Sequence, residues 1–218
     1  MVQAGHMSEN VQVEGEVRVA TTGTGPHPED MSDKPSRPES AYEALERLPE
    51  NVVGEIIAGE LYVSPRPRTR HGWAAFQLGY ELGSLTRGPG RGGPGGWVFL
   101  PEQELHFDGD VLVPDLSGWR RERLPEIPDV VGITIAPDWL CEVLSPSTEA
   151  LDRNRKMAVY ARERIGHVWL VDPRSRTLEV YRLEEGAWKK LGVHTGEVTV
   201  HAEPFEVLPV ELGSLWER

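Results

Sequence analysis

A single cysteine, Cys141, stands among 218 residues. That excludes an intramolecular disulfide framework and any structural zinc site with more than one Cys ligand. Basic residues are scarce. The 23 Lys and Arg face 35 Asp and Glu, for a net charge of −12. Such a balance argues against a protein that coats nucleic acid. It leaves room for a nuclease, which needs only local positive charge and a carboxylate-held metal. No apolar run approaches the roughly 18 residues of a membrane span. The N-terminus has no basic segment followed by an apolar stretch, so no secretory signal is read. On these absences the chain is expected in a reducing cytoplasm, with no membrane partner.

Large apolar residues are also rare in the first 40 positions, which hold Pro26, Pro28, Pro35 and Pro38. Seven acids and three bases are spread among them. Such a segment cannot bury enough apolar surface to offset its ordering entropy. Residues 1–40 are therefore expected to be a disordered tail, and residues 41–218 a single domain. A chain of that length can build a core without disulfide or metal.

Within the domain, Ser40 with Glu43 resembles a capping box for a helix over 41–47. Two β-rich runs flank Ala58-Gly59 and predict a hairpin over 52–63. Trp73, Phe76, Gln77, Tyr80 and Leu85 predict a helix over 69–85. The Gly- and Pro-rich run 87–96 lacks the Gly-Lys-Ser/Thr ending of a phosphate loop, so it reads as a flexible surface loop. Strands are expected over 97–100, 102–107 and 110–116, the last two joined at Asp108-Gly109. A polar excursion fills 118–137. The nearly all-apolar run 138–144 suits a central strand covered on both faces. Ser145-Pro146-Ser147-Thr148 then turns into a helix ending near Arg164. A strand over 167–171, a hairpin over 177–191 and an edge strand over 198–201 complete a mixed α/β sheet with flanking helices.

Two acids stand out by position. Glu142 lies inside the apolar strand, where a charge is costly unless it is paired or binds a metal. Asp115 follows Pro114 at a strand end. Pro-Asp is also a common turn pair, and a salt bridge alone would account for Glu142. Asp152, Lys156 and Tyr160 sit at i, i+4 and i+8, so they share one helix face shortly after Glu142. Cys141 alternates away from Glu142 and reads as a core thiol. Trp119, Trp139 and Trp169 read as core.

These motifs together resemble the Uma-two family of restriction-endonuclease-like proteins. The resemblance rests on Pro114-Asp115, on Glu142-Val-Leu-Ser-Pro-Ser-Thr148, on Asp152, Lys156 and Tyr160, and on His167-Val-Trp-Leu-Val-Asp-Pro173. The segment from Gly54 to Pro65 and His71 fit the same family. The likeness covers about residues 41–210. It implies a restriction-endonuclease-like mixed β-sheet flanked by helices, of the PD-(D/E)XK nuclease superfamily. It further implies Mg²⁺ or Mn²⁺ bound by Asp115 and Glu142, and hydrolysis of nucleic-acid phosphodiesters, DNA in particular. The superfamily lysine stands two residues after the glutamate, and here that position is Leu144. Lys156 is the candidate for a relocated lysine. Glu60 is preferred over Glu55 as the upstream acid. His71 is a candidate ligand, phosphate contact or proton carrier, set against a solvated helix-start histidine. Arg66, Arg68 and Arg70 suit phosphate contacts, or simply form a basic turn. A homodimer is expected where both strands of a duplex are cut. Two rivals stand beside this reading. One is a non-catalytic binding or assembly module that keeps the fold. The other is a carboxylate-pair glycosidase, which the lysine helix gives no reason to prefer.

Overall fold

The computed structural model describes residues 18–19 and 40–216. Of the expected tail, only Arg18, Val19 and Ser40 fall among them. In chain order the elements are β1 (Arg18–Val19), α1 (Ala41–Glu46), β2 (Val52–Ile57), β3 (Glu60–Pro65), α2 (Thr69–Leu82), β4 (Trp97–Pro101), β5 (Glu104–Phe107), β6 (Asp110–Leu112), β7 (Leu116–Arg120), β8 (Gly132–Ile133) and β9 (Trp139–Val143). A π-helical stretch, Leu151–Lys156, then runs into α3 (Met157–Arg162). β10 (His167–Asp172), β11 (Thr177–Glu184), β12 (Ala187–Thr195), β13 (Thr199–Val200) and β14 (Val210–Glu211) follow.

Local chemistry sets the boundaries. The Ser40 hydroxyl accepts the Glu43 N–H, and the Glu43 carboxylate accepts the Ser40 N–H, so the capping box forms and α1 starts there. Ala58 and Gly59 both have positive φ. That is the backbone a two-residue hairpin turn needs to match strand twist. The β2–β3 pair closes with Ile57 opposite Glu60.

Two six-stranded sheets result. The first runs β1-β3-β2-β6-β5-β8 and the second β12-β11-β10-β9-β7-β4. The second is antiparallel except for β9 and β10, which are parallel because the helical crossover joins them. Alternation along β9 divides its side chains. Trp139, Cys141 and Val143 pack with α2 through Ala74, Leu78 and Leu82, and with Trp169 and Phe205. Leu140 and Leu144 face the other way, toward Met157, Val159 and Tyr160 and toward Leu105 and Leu112 of the first sheet. Glu142 shares that second parity. Cys141 is thus a buried core thiol, and Trp119, Trp139 and Trp169 are fully buried.

Several expectations shift. The single strand over 110–116 is split. Asp110–Leu112 belongs to the first sheet and Leu116–Arg120 to the second. Pro114, which has no N–H for a ladder, sits where the chain changes sheets. Part of the polar excursion is ordered as the end of β7 and as β8. The helix over 69–85 ends at Leu82 and tightens into a 3₁₀ turn, Gly83–Thr86. The strand near 198–201 pairs with β14 and joins neither large sheet.

The Gly-rich run is closely packed in one place. A Cβ on Gly93 would lie 1.8 Å from the Ser84 carbonyl oxygen, a backbone atom with little freedom to yield. Gly93→Ala is expected to destabilise the fold by about 1–3 kcal/mol, the usual cost of overpacking. Urea denaturation reads this directly, and an unchanged midpoint would show that the loop is free to move away.

Candidate active site

Glu142 is 2% exposed in β9. Its Oε1 accepts a hydrogen bond from the Tyr160 hydroxyl and lies 2.7 Å from Lys156 Nζ. The same ammonium is 2.9 Å from Glu55 Oε1 and 3.4 Å from Asp152 Oδ1. One cation therefore sits among three buried carboxylates. Asp152, Lys156 and Tyr160 share one face, and the wider π turn carries the first two. Such insertions recur at functional sites. Glu55 Oε1 also accepts the Val113 N–H at 2.8 Å, which ties β2 to the chain just after β6.

Burial and like charge act together here. Burial pushes the Glu142 pKa well up. Lys156 opposes the shift, while Asp152, Asp115 and Glu55 add to it. Burial also disfavours the Lys156 cation, but the surrounding carboxylates outweigh it and hold its pKa well above the usual value. Lys156 stays charged and cannot serve as a general base near neutrality. Burial raises the Tyr160 phenol, which keeps its proton and remains a donor.

Asp115 comes from the chain leading into β7. Leu116 pairs with Cys141 in the antiparallel β7–β9 register, so Asp115 lies opposite Glu142. Its Oδ2 accepts the Val143 N–H at 2.7 Å, and its Oδ1 is 3.4 Å from His71 Nε2. His71 stands in the first turn of α2. Burial works against its protonation, but Asp115 prevails and the imidazole pKa is raised.

Asp115, Glu142, Glu55 and Lys156 open onto one cleft of about 570 Å³, lined also by His71, Arg66, Arg68, Arg70 and Arg174. The Ser145, Ser147 and Thr148 hydroxyls line its rim and bond to one another. Of the candidate residues, the structure thus gathers Asp115, Glu142, Lys156, His71 and the three arginines. Arg66 is braced by the Glu50 carbonyl. Glu60 is left outside. Its carboxylate pairs with Arg155 at 3.0 Å and accepts the Tyr62 hydroxyl. Glu55 holds the inner position instead.

Among the described residues, no three His, Cys, Asp or Glu side chains form a ready-made metal cage. The Lys156 ammonium fills the space between Glu55, Glu142 and Asp152. Asp115 and Glu142 still suit a hard divalent cation. They are oxygen donors on adjacent strands at opposed register positions, lining one cleft. Mg²⁺ is commonly held by one or two carboxylates, with waters and substrate oxygens completing its shell.

A family model, Uma2, described as "Putative restriction endonuclease", matches residues 40–212. The chain belongs to the Uma2 family. Families of this restriction-endonuclease-like kind generally use divalent metals. A solved structure from Anabaena variabilis ATCC 29413, described as a "putative nuclease belonging to DUF820", shares the fold with a TM-score of 0.66 and 23% identity. The match covers 82% of this Uma2 chain and 98% of that one. No curated protein matches. Among the described residues, no helix is long and apolar enough to cross a membrane.

The buried cluster has a pH signature. Burial lifts Asp152 from an ordinary 3.8 to about 6, against the pull of Lys156 and with Glu55 adding to the rise. A raised folded pKa contributes stability that is complete below the unfolded value and is lost as pH climbs through the folded one. Between pH of about 4 and 7, the wild type should therefore lose stability relative to Asp152→Asn. Urea unfolding of both proteins across that window measures the difference, and parallel curves would refute it.

Proposed function

We propose that this cleft hydrolyses phosphodiester bonds of nucleic acid, DNA in particular, with Mg²⁺ or Mn²⁺ held by Asp115 and Glu142. The supporting observation is the pairing of Asp115 with buried Glu142 across β7 and β9, with Lys156 on Glu142 and an arginine-lined rim outside. Residues 41–218 form the catalytic domain in this reading, acting in the cytoplasm. A bound divalent ion would supply Lewis-acid neutralisation of phosphate charge and a more acidic water.

The chain's own residues do the rest. Lys156 and Tyr160 both hold Glu142 Oε1, which fixes the carboxylate's orientation toward the cleft. Lys156, protonated throughout, offsets negative charge that builds on the phosphoryl oxygens. Its place on the helix answers for Leu144, where the superfamily pattern has lysine. His71, raised in pKa and hydrogen-bonded toward Asp115, can hold or pass a proton at Nε2. Arg66, Arg68 and Arg70 contact flanking phosphates and set the strand's position. Glu60 has no part in this scheme.

A second reading is a binding module without activity. It is favoured by the ammonium that fills the carboxylate cluster. Thermal unfolding with Mn²⁺ separates the two. At about 100 times its dissociation constant a ligand adds roughly 2.7 kcal/mol, or about 5–10 °C for a domain of this size. The wild type should show the rise and Asp115→Asn should not, with cleavage of an oligonucleotide following the same pattern. No rise and no cleavage at millimolar Mn²⁺ would favour the inactive module.

A further inference from the structure

Helix α2 turns an unusual face outward. Ala74, Leu78 and Leu82 are buried against the second sheet. On the opposite side, Trp73, Phe76 and Tyr80 are 45%, 67% and 73% exposed. Their i, i+3, i+7 spacing aligns three rings along about 10 Å of helix. A surface helix ordinarily presents charged or polar groups on that side. The sequence pattern predicted this helix from those same aromatics, but the structure points them away from the core.

We infer that this stripe stacks the unpaired bases of a nucleic-acid strand that enters the cleft, so that the substrate class is single-stranded or branched nucleic acid. The inference rests on the nuclease reading above and narrows it. Four observations support it. First, the path is continuous. Thr69 and Arg70 line both the cleft and an adjoining cavity of about 840 Å³ that contains Trp73. Second, the Trp73 ring is pre-positioned, because its Nε1–H donates to the Ser214 carbonyl at 3.2 Å. Third, nothing lies within 4 Å of where a Cβ would sit on Gly72 or Gly79, so the ground beside the rings is open to a flat base. Fourth, the charge is complementary. Arg66 and Arg68 precede the helix, and at its far end the Arg87 guanidinium lies 4.0 Å from the Cβ position of Gly83. In a chain of net charge −12, positive side chains thus flank both ends of the stripe. The adjoining cavity also carries two acids, Glu211, which accepts from the Thr199 hydroxyl, and Glu197, which lies 3.9 Å from Arg176. Aromatic platforms between basic groups are how proteins hold single strands without reading sequence.

The test uses the full chain without divalent metal. Fluorescence anisotropy compares a labelled oligothymidylate of about 15 nucleotides with a duplex of the same length. The double variant Phe76→Ala/Tyr80→Ala should weaken single-strand binding by about 10-fold or more, since stacking contributes strongly per base. Both side chains are exposed, so its thermal midpoint should not move. Single-strand binding that survives the double substitution overturns the inference and leaves the nuclease reading intact. Failure of the wild type to bind either nucleic acid, both without metal and with Ca²⁺ supplied in place of Mg²⁺, overturns the inference and counts against the nuclease reading as well. Sedimentation showing a wild-type dimer that the variant dissolves, with single-strand binding unaffected, would assign the stripe to contact between copies.

Discussion

Glu142→Gln should reduce metal-dependent cleavage by about 10³-fold or more. A metal at a phosphoryl centre supplies several kcal/mol of charge stabilisation, and each 1.36 kcal/mol is tenfold in rate. The substitution removes one of the two carboxylates proposed to hold the metal, while the amide oxygen can still accept from Tyr160 and Lys156. Two carboxylates, Glu55 and Asp152, remain within 3.4 Å of the ammonium. The fold should therefore persist, with an unchanged far-ultraviolet circular dichroism spectrum. Cleavage by a clean Glu142→Gln preparation at wild-type rate would remove Glu142 from the chemistry.

Lys156→Met should act in the opposite sense, on stability before activity. Three carboxylates share this one cation, and Lys156 is 3% exposed. Its removal leaves Glu55, Glu142 and Asp152 facing one another without compensation. Stranding buried charge of this kind costs about 3–5 kcal/mol. Methionine fills much of the same volume, so little of the loss should come from a cavity. Urea denaturation at neutral pH gives the value. A loss below about 1 kcal/mol would mean that the cluster relaxes or takes up protons freely.

The unequal outcomes follow from three acids sharing one base, and that arithmetic was only half legible in the sequence. Glu142 could be read because an acid interrupts an otherwise apolar strand. The i, i+4, i+8 spacing of Asp152, Lys156 and Tyr160 placed them on one face, which the structure turns toward Glu142. Glu55 carried a signal like that of Glu142, an acid within the run Val52-Val53-Gly54-Glu55-Ile56-Ile57. The hairpin drew attention to Glu60 instead, because alternation cannot choose when both faces of β2 are buried. Two further features depended on tertiary packing. The break at Pro114, which moves the chain between sheets, is invisible where the flanking runs both look extended. The outward aromatics of α2 have helical spacing, and spacing alone does not say which side meets the core.

The order of the site's residues along the chain has its own consequence. Glu55 arrives on β2, Asp115 before β7, Glu142 on β9 and Lys156 on the crossover, so each comes from a different stretch of sequence. Only closure of both sheets brings them together. Contacts of such long sequence separation form late, after the cost of closing the intervening loops has been met. A nascent or partly unfolded chain thus carries every reactive group and no assembled cleft. For the nuclease proposed above, this would be an inherent safeguard: the proposed activity would be gained and lost with the whole fold.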